Sequence, residues 1–332
     1  MTPASSSGGG TATSRSAAAG GSGGSGGPGA GASGAVARRG GRLRHLDDWL
    51  RGWAWASIVA NCVLVVTGGV VRLTDSGLGC PTWPRCTDRS FTPHGAYNIH
   101  SAIEFGNRML TYVLVAVAVG AFVAAWQSGR RDLRRLALIM ALGIPAQAVI
   151  GGITVLTHLN PWIVSLHLLC SLAIVGVAVL FLQRVERPAP DVAPRGGALG
   201  PVVGLAWAMF ASAWAVLYVG TVVTGAGPHA GDATSARNGL SPLQVSQLHA
   251  DLVFLFVGLT VGLLFAVVAA RLSRPARSAV GVLLLVEVAQ AAVGFVQYFT
   301  HLPVALVGVH MLGAAVISAT ATWALIKVRE PA

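Results

Sequence analysis

The stretch "QAVIGGITVLTHLNPWIVSLH" (147–167) returns in the same chain as "QAAVGFVQYFTHLPVALVGVH" (290–310). The two copies align without a gap at an offset of 143 residues. The matched positions include Gln147 and Gln290, Gly151 and Gly294, Thr157-His158-Leu159 and Thr300-His301-Leu302, and His167 and His310. A shorter match joins "VVTG" at 65–68 to the same letters at 222–225. An internal repeat of this kind indicates that one structural unit is used twice.

The composition places both copies in a membrane. The chain has 332 residues, of which 54% are hydrophobic and only 11% are charged. A helix that spans a bilayer needs roughly 20 mostly apolar residues. Runs of that kind cover 52–72, 99–126, 133–156, 162–183, 200–223, 247–270, 277–299 and 304–326. Because backbone polar groups in lipid must be bonded internally, we predict an all-α integral membrane protein with eight transmembrane helices.

The repeat divides these helices into two sets of four. An even number of helices per unit preserves the direction of the chain across the membrane. The units should therefore be parallel repeats, related by an axis along the membrane normal. The simplest architecture is two four-helix bundles, at 52–183 and 200–327.

The net charge of +11 does not indicate nucleic acid, because no basic run is interleaved with exposed aromatic residues. Of the 23 Lys and Arg residues, 18 lie in 1–51, 127–135, 184–199, 271–277 and 327–332. This asymmetry predicts a multi-pass protein of the cell membrane with both termini cytoplasmic. The expected partner of the basic surface is the lipid bilayer, and no nucleic-acid partner is expected.

The segments outside the bundles are polar or short. Residues 1–37 are dominated by Gly, Ser, Ala and Thr, so we expect a disordered cytoplasmic extension. A basic arm (38–51) should lie at the cytoplasmic lipid surface. A cytoplasmic linker (184–199) joins the bundles, and a short cytoplasmic tail (328–332) follows the last helix.

Each predicted bundle carries one histidine near the outer end of its second helix and another near the outer end of its fourth. These are His100 and His167 in the first half, and His249 and His310 in the second. Polar residues within the membrane usually face a functional cavity. Two facing histidines can supply both axial ligands of a haem iron in a bundle core, whereas zinc prefers four ligands gathered at one point. A hydrogen-bonded packing role is the alternative for any single histidine.

The outer connection after the first helix contains "GLGCPTWPRC" (77–86), named here the Cys-loop. Cys80 and Cys86 face an oxidising compartment, so a disulfide is the expected state. Their spacing is not the C-x-x-C-H of covalent haem attachment. Two roles stay open, a purely structural bridge and a redox couple beside an active site. The second repeat has no such pair, which indicates that the two halves differ in function.

Four motifs together resemble the haem A synthase family, namely "VVTGGVVRLTDSGLGCPTWPRC", "IEFGNRML", "HLNPWIVSLHLL" and "THLPVALVGVHML". The resemblance covers roughly residues 50–327. Members of that family oxidise the C8 methyl of haem O to a formyl group and so make haem A for terminal oxidases. The resemblance implies the same reaction here, with haem O as substrate, haem b as cofactor in the C-terminal half, and dioxygen and an external electron donor. It also implies a haem O synthase as a partner.

The same resemblance implies roles for the four histidines. His249 and His310 would ligate the iron of haem b, and His100 and His167 would address the iron of haem O. One position departs from the family pattern, because Asn107 stands where many members have a histidine, and an amide is a poor iron ligand. Either His100, on the same helix side two turns away, takes over ligation, or His167 is the only protein ligand of that iron. We favour His100.

Glu104 is the candidate catalytic residue. Oxidation of a macrocycle methyl builds positive charge on its carbon, which a nearby carboxylate would stabilise while also accepting a proton. The competing role is an i,i+4 helix pair with Arg108. Arg72, Arg108 and Arg237 are candidates for pairing with haem propionates. Glu287, in the seventh helix, is interpreted as a buried hydrogen-bonded acid with no assigned function.

Two other functions fit parts of this pattern. A diheme b-type cytochrome that oxidises quinol would use all four histidines for electron transfer. The presence of the Cys-loop and of Glu104 in only one repeat argues against two equivalent electron-transfer sites. A haem transporter built from parallel repeats is less favoured, because charged residues at the membrane midplane are too few.

Overall fold

The computed structural model describes residues 30–93, 98–187 and 200–330, with side chains from residue 48 onward. By its contacts the chain divides into Met1–Arg44 and His45–Ala332, and the second unit holds every residue discussed below. The expected disordered extension lies outside the described residues as far as residue 29. Most of the cytoplasmic linker (188–199) and the last two residues of the tail lie outside them as well.

The described residues form helices joined by turns and loops, with no strand among them. The helices are α1 (Ala30–Leu73), α2 (Ile99–Gln127), α3 (Arg131–Leu156), α4 (Pro161–Val185), α5 (Gly200–Ala226), α6 (Pro242–Ala269), α7 (Arg274–Phe299) and α8 (Val304–Arg329). All eight are long and apolar enough to cross a membrane, with the span of α1 at Asp48–Leu73. The predicted all-α membrane architecture is confirmed, and each predicted span begins and ends within five residues of the observed one.

Side-chain caps and a repeated turn fix where several helices begin. The side chain of Asn98 accepts a hydrogen bond from His100 N at the start of α2, and Asn160 caps α4 in the same way, ahead of a proline. Both matched turns use the left-handed backbone region, with φ of 51° and 59° at His158 and Leu159 and of 62° and 61° at the equivalent His301 and Leu302. The repeated "THL" letters therefore encode a turn that joins α3 to α4 and α7 to α8.

Two hydrophobic cores form within the larger unit. The first is built from α1 to α4 and includes Leu50, Ala121, Met140 and Phe181. The second is built mainly from α5 to α8 and includes Met209, Phe256, Leu263, Leu283 and Ala321, together with Val65 of α1 and Leu172 of α4. The first core thus draws on the first half of the chain, whereas the second core also includes residues from α1 and α4. The arrangement as two parallel-repeat bundles stays a prediction.

Polar contacts join the two halves along their length. The buried Ser318 hydroxyl on α8 donates to Leu172 O on α4 at 2.8 Å. Nearer the Cys-loop, Arg72 at the end of α1 donates to Thr224 O at the end of α5 at 2.9 Å. The end of the helices at which these last residues lie is named here the loop end, and it carries the site described next.

Candidate functional site

The two histidines of the second half face each other. The ring centroids of His249 on α6 and His310 on α8 lie 6.5 Å apart, with an angle of 64° between the rings. Two histidine nitrogens that bind one metal from opposite sides at about 2.0–2.1 Å, the range known for zinc, place their ring centres roughly 6 to 6.5 Å apart. The Nδ1 atoms of both rings are buried, and that of His310 has no hydrogen-bond partner among the described residues. The pair therefore fits the two axial ligands of one haem iron.

Glycines on neighbouring helices bring the backbone close to these rings. A Cβ atom at Gly220 on α5 would lie 3.1 Å from Cε1 of His249. A Cβ atom at Gly294 on α7 would lie 3.2 Å from Cε1 of His310. Both separations are shorter than ordinary van der Waals contact, so a side chain at either position would push the imidazole aside.

The histidines of the first half are placed differently. His167 on α4 has a buried Nδ1 without a partner in the described chain, and a Cβ atom at Gly151 would lie 3.1 Å from its Cε1. His100 is the second residue of α2, and its Nδ1 lies 3.0 Å from the Ser76 hydroxyl. Within the described residues no ring contact joins His100 to His167. The structure therefore brings the second pair together but does not show the first pair as a pair.

Glu104 is buried beneath the Cys-loop, with only 5% of its surface exposed. Its Oε2 accepts a hydrogen bond from the backbone N–H of Cys80 at 2.6 Å. Its Oε1 accepts from Arg108 Nε at 3.1 Å and from Arg108 Nη2 at 2.5 Å. The carboxylate is thus held by backbone donors of the Cys-loop and by one guanidinium.

The Cys-loop is closed by the expected disulfide and anchored to α2. Cys80 and Cys86 are both buried and bonded to each other, so this prediction is confirmed. Arg108 donates to the carbonyl oxygens of Cys80, Thr82 and Arg85 at 3.1 to 3.2 Å. The same guanidinium therefore binds Glu104 and three loop carbonyls, which couples the position of the carboxylate to the fold of the loop.

Asn107, at the position that departs from the family pattern, bonds to α1. Its Oδ1 accepts a hydrogen bond from the Thr67 hydroxyl at 2.8 Å. Sequence reasoning had missed this contact and the one between Ser76 and His100. Thr67 lies in the repeated "VVTG" segment, but the repeat did not indicate which residue Thr67 would bond to. Asn107 thus links α2 to α1 through a single hydrogen bond.

Arg72 and Arg237 lie at the loop end and donate to backbone oxygens. Arg72 Nε donates to His229 O at 2.7 Å, in the connection between α5 and α6. Arg237 Nη2, in the same connection, donates to Pro228 O at 2.5 Å. In the described part of the chain neither arginine forms an ion pair with a carboxylate. Both therefore keep a positive charge that an anionic group can neutralise.

The connection between α5 and α6 also reaches the first half. The N–H of Gly77 donates to Gly231 O at 2.8 Å. Hydrogen bonds from Thr234, together with the nearby His100, lower the pKa of the Asp232 carboxyl. A loop of the second half therefore lies against the start of the Cys-loop.

Glu287 on α7 is buried, with 3% of its surface exposed, and accepts a hydrogen bond from the Thr260 hydroxyl of α6 at 2.7 Å. This contact agrees with its interpretation as a buried hydrogen-bonded acid. Its Oε2 has no hydrogen-bond partner among the described residues. The residue lies inside the second half, apart from the Cys-loop and Glu104.

Comparison with known proteins identifies the family. A family model described as "Cytochrome oxidase assembly protein" matches residues 51–322, which is most of the chain. The chain belongs to this family. The matched range includes every histidine, carboxylate and arginine of the candidate site.

Curated relatives of this chain are named "Heme A synthase". The one from Geobacillus kaustophilus is 27% identical over 147 residues, which cover 43% of this chain and 45% of the relative. Those from Geobacillus thermodenitrificans and Listeria welshimeri are 28% and 29% identical over 155 and 154 residues, covering 45% and 43% of this chain and 48% of each relative. The chain spans about half the length of the curated relatives it matches, and its resemblance to haem A synthases is confirmed.

Proposed function

We propose that this chain is a haem A synthase, a membrane oxidoreductase that converts the C8 methyl of haem O to a formyl group. In this conversion the carbon loses two hydrogens and gains one oxygen atom. The change balances with two molecules of dioxygen, four electrons from an external donor and four protons, so that one oxygen atom enters the formyl group and three leave as water together with the two hydrogens removed from the carbon. The observation that carries the proposal is the His249–His310 pair, with 6.5 Å between ring centroids, in a chain matched by the family model over residues 51–322.

We assign haem b to this pair in the second half. His249 and His310 would hold the iron from α6 and α8, and the glycines opposite the rings allow the imidazoles to lie close to the helix backbones. When bound, the haem supplies one-electron redox chemistry within the membrane. The protein keeps both rings in place and excludes water from their Nδ1 atoms.

We assign the substrate haem O to the first half, beneath the Cys-loop. His167 and His100 are the proposed residues that address its iron, and Glu104 is the proposed catalytic residue. The carboxylate is held on both oxygens before substrate arrives, as electrostatic stabilisation requires. Its negative charge would favour positive charge on the reacting carbon, and it would take up a proton released there. The role of Arg72, Arg108 and Arg237 toward the propionates stays a prediction.

The ion pair with Arg108 is also what a purely structural Glu104 would make. Replacement by glutamine separates the two roles, because the amide keeps the shape of the side chain and loses its charge. A catalytic Glu104 predicts that Glu104→Gln holds haem b normally and forms little haem A. A structural Glu104 predicts that haem content and haem A formation fall together.

The test is coexpression with a haem O synthase, the proposed partner that would supply the substrate. Non-covalent haem is extracted from the purified protein and measured by mass and by its reduced pyridine spectrum. Haem A should appear with the unchanged chain under aerobic conditions and be nearly absent with Glu104→Gln. Glu287→Gln is the matched control, since that acid is equally buried but lies in the other half. Only haems B and O from the unchanged chain, with a competent reductant present, would refute the synthase.

The four histidines at repeat-related positions favour one other function, a diheme electron-transfer cytochrome that oxidises quinol. That protein would bind two haems of unaltered structure and would reduce them with quinol. The same extraction distinguishes the two functions, because the cytochrome never yields a formyl haem. The position of both termini in the cytoplasm is predicted for either function.

A further inference from the structure

The glutamines at the start of the two repeated stretches hold the helices that carry histidines. Gln290 on α7 donates from Nε2 to the backbone oxygen of His310 on α8 at 2.7 Å. Gln147 on α3 donates in the same way to the backbone oxygen of His167 on α4 at 3.1 Å. The oxygen of a helical residue normally accepts only from the N–H four residues later. The additional bond ties the neighbouring helix to the backbone at the histidine itself.

A glycine follows each glutamine by four residues and therefore lies on the same side of its helix. Gly294 faces Cε1 of His310, and Gly151 faces Cε1 of His167, each at 3.1 to 3.2 Å from the place that a Cβ atom would take. The glutamine thus fixes the backbone of the histidine, and the glycine limits where its ring can lie. The glutamine donor and the glycine therefore lie on one face of their helix, and this arrangement occurs in each half.

We propose that Gln290 and Gly294 are positioning residues, which set the orientation of the His310 imidazole on the haem iron. Gln147 and Gly151 do the same for His167. The inference rests on the proposed ligation of iron by these histidines. It concerns residues that contact the ligating histidines rather than the iron. The orientation of a ligating histidine is controlled by its surroundings, and it tunes the basicity and reduction potential of the metal centre.

The two copies differ in how many donors reach the histidine oxygen. In the first half the Ser171 hydroxyl also donates to His167 O, at 3.0 Å. At the equivalent position the second half has Ala314, so among the described residues Gln290 is the one side-chain donor to His310 O. A Cβ atom at Gly313 would overlap the Gln290 amide, whereas Cys170 stands at the matching first-half position. Among the described side chains, the backbone oxygen of His310 therefore has Gln290 as its one donor, and Gly313 leaves space for the Gln290 amide.

The experiment uses the full chain purified with its bound haem. Gln290→Met keeps the length of the side chain and removes the donor. We expect a shifted largest g value of the oxidised low-spin haem b, a shifted midpoint potential, and haem loss about fivefold faster, the effect of one ordinary hydrogen bond. Gly313→Ala, which displaces the same amide, should shift g value and potential in the same direction. Gln147→Met should leave the haem b signals unchanged.

A rescue variant separates positioning from general packing. Ala314→Ser introduces the hydroxyl that the first half has, and a helical serine bonds the oxygen four residues earlier, which is that of His310. Ala314→Ser added to Gln290→Met should return the g value and the potential toward those of the unchanged chain. If Gln290→Met lowers haem content so far that no signal remains, recovery of haem by Ala314→Ser supports the inference, and no recovery overturns it.

Two further results keep this inference apart from the proposed ligation. If the g value and potential of Gln290→Met match those of the unchanged chain, the positioning role is wrong, even where thermal stability falls. If His310→Ala keeps a full b-type spectrum, the ligation is wrong instead. Loss of haem b in His310→Ala together with unchanged signals in Gln290→Met rejects only the positioning role.

Discussion

Replacement of Arg108 by methionine should destabilise the loop end, because this arginine binds a buried carboxylate and three carbonyl oxygens of the Cys-loop. The side chain is 21% exposed and donates to a Glu104 side chain that is 7% exposed. It also donates to the carbonyl oxygens of Cys80, Thr82 and Arg85. Methionine has a similar length, so the main loss is of charge and donors rather than of volume.

The expected loss in the free energy of unfolding depends on the carboxylate charge that remains after the substitution. Arg108→Met leaves the Glu104 carboxylate with backbone donors of the Cys-loop and no positively charged partner. Breaking a buried ion pair on one side costs about 3–5 kcal/mol. Because water can reach about a fifth of the arginine, we expect a value near the lower end, about 3 kcal/mol. Removing both charges, in Arg108→Met with Glu104→Gln, leaves no unpaired charge and should cost less than the sum of the single changes.

The assay is a double-mutant cycle, measured by denaturant titration in detergent micelles with helix content as the signal. We expect a coupling between the two side chains of about 1–3 kcal/mol. Arg89→Met is the control, because Arg89 is exposed in the connection between α1 and α2. Its free energy of unfolding should stay within about 0.5 kcal/mol of that of the unchanged chain. Single effects that add within about 0.5 kcal/mol would show that the ion pair does not hold the carboxylate.

Three other outcomes follow from single contacts. Gly220→Ala should reduce haem b per protein, because its methyl would press on an imidazole, while Gly204→Ala, in open space on the same helix, should not; equal haem contents would contradict this. The lowered pKa of Asp232 means that its contribution to stability is complete above the unfolded-state value of about 3.9 and is lost as pH falls through the folded-state value. Asp232→Asn should therefore flatten thermal stability against pH below about 4. Glu287→Leu should cost about 1–3 kcal/mol by leaving the Thr260 hydroxyl unpaired, and Glu287→Gln clearly less, both by denaturant titration.

The eight helices could be predicted because their cause is local. Each needs only a run of apolar residues as long as the bilayer is thick, and backbone groups in lipid leave no other regular structure open to it. The least accurate boundary, the start of α6, shows the limit of hydropathy. The helix begins at Pro242, five residues before the apolar run, because proline suits the first helical turn and the polar residues after it can face water.

The site was only partly predictable, because most of its contacts join distant parts of the chain. His249 and His310 could be expected to face each other because both lie near the outer ends of helices in one half. The same placement predicts that His100 and His167 face each other, and the structure does not show them as a pair. No sequence pattern predicted that Arg72 would bond to an oxygen 157 residues away. Nor did it predict that Asn107 would bond to Thr67, because a hydrogen bond of this kind depends on how two helices pack.

The two halves share a way of holding histidines and differ in what covers them. The glutamine, the glycine and the "THL" turn recur in both, so these features belong to the scaffold. The carboxylate paired with Arg108 and the disulfide occur in the first half alone, and both depend on one connection, because Arg108 binds the carboxylate and the loop together. The corresponding connection of the second half carries no such loop and instead bonds to Gly77 beside it. Different chemistry at two similar haem positions would then arise from the loops, with the helices unchanged, and exchanging the Cys-loop for its second-half counterpart should abolish haem A formation while haem b stays bound.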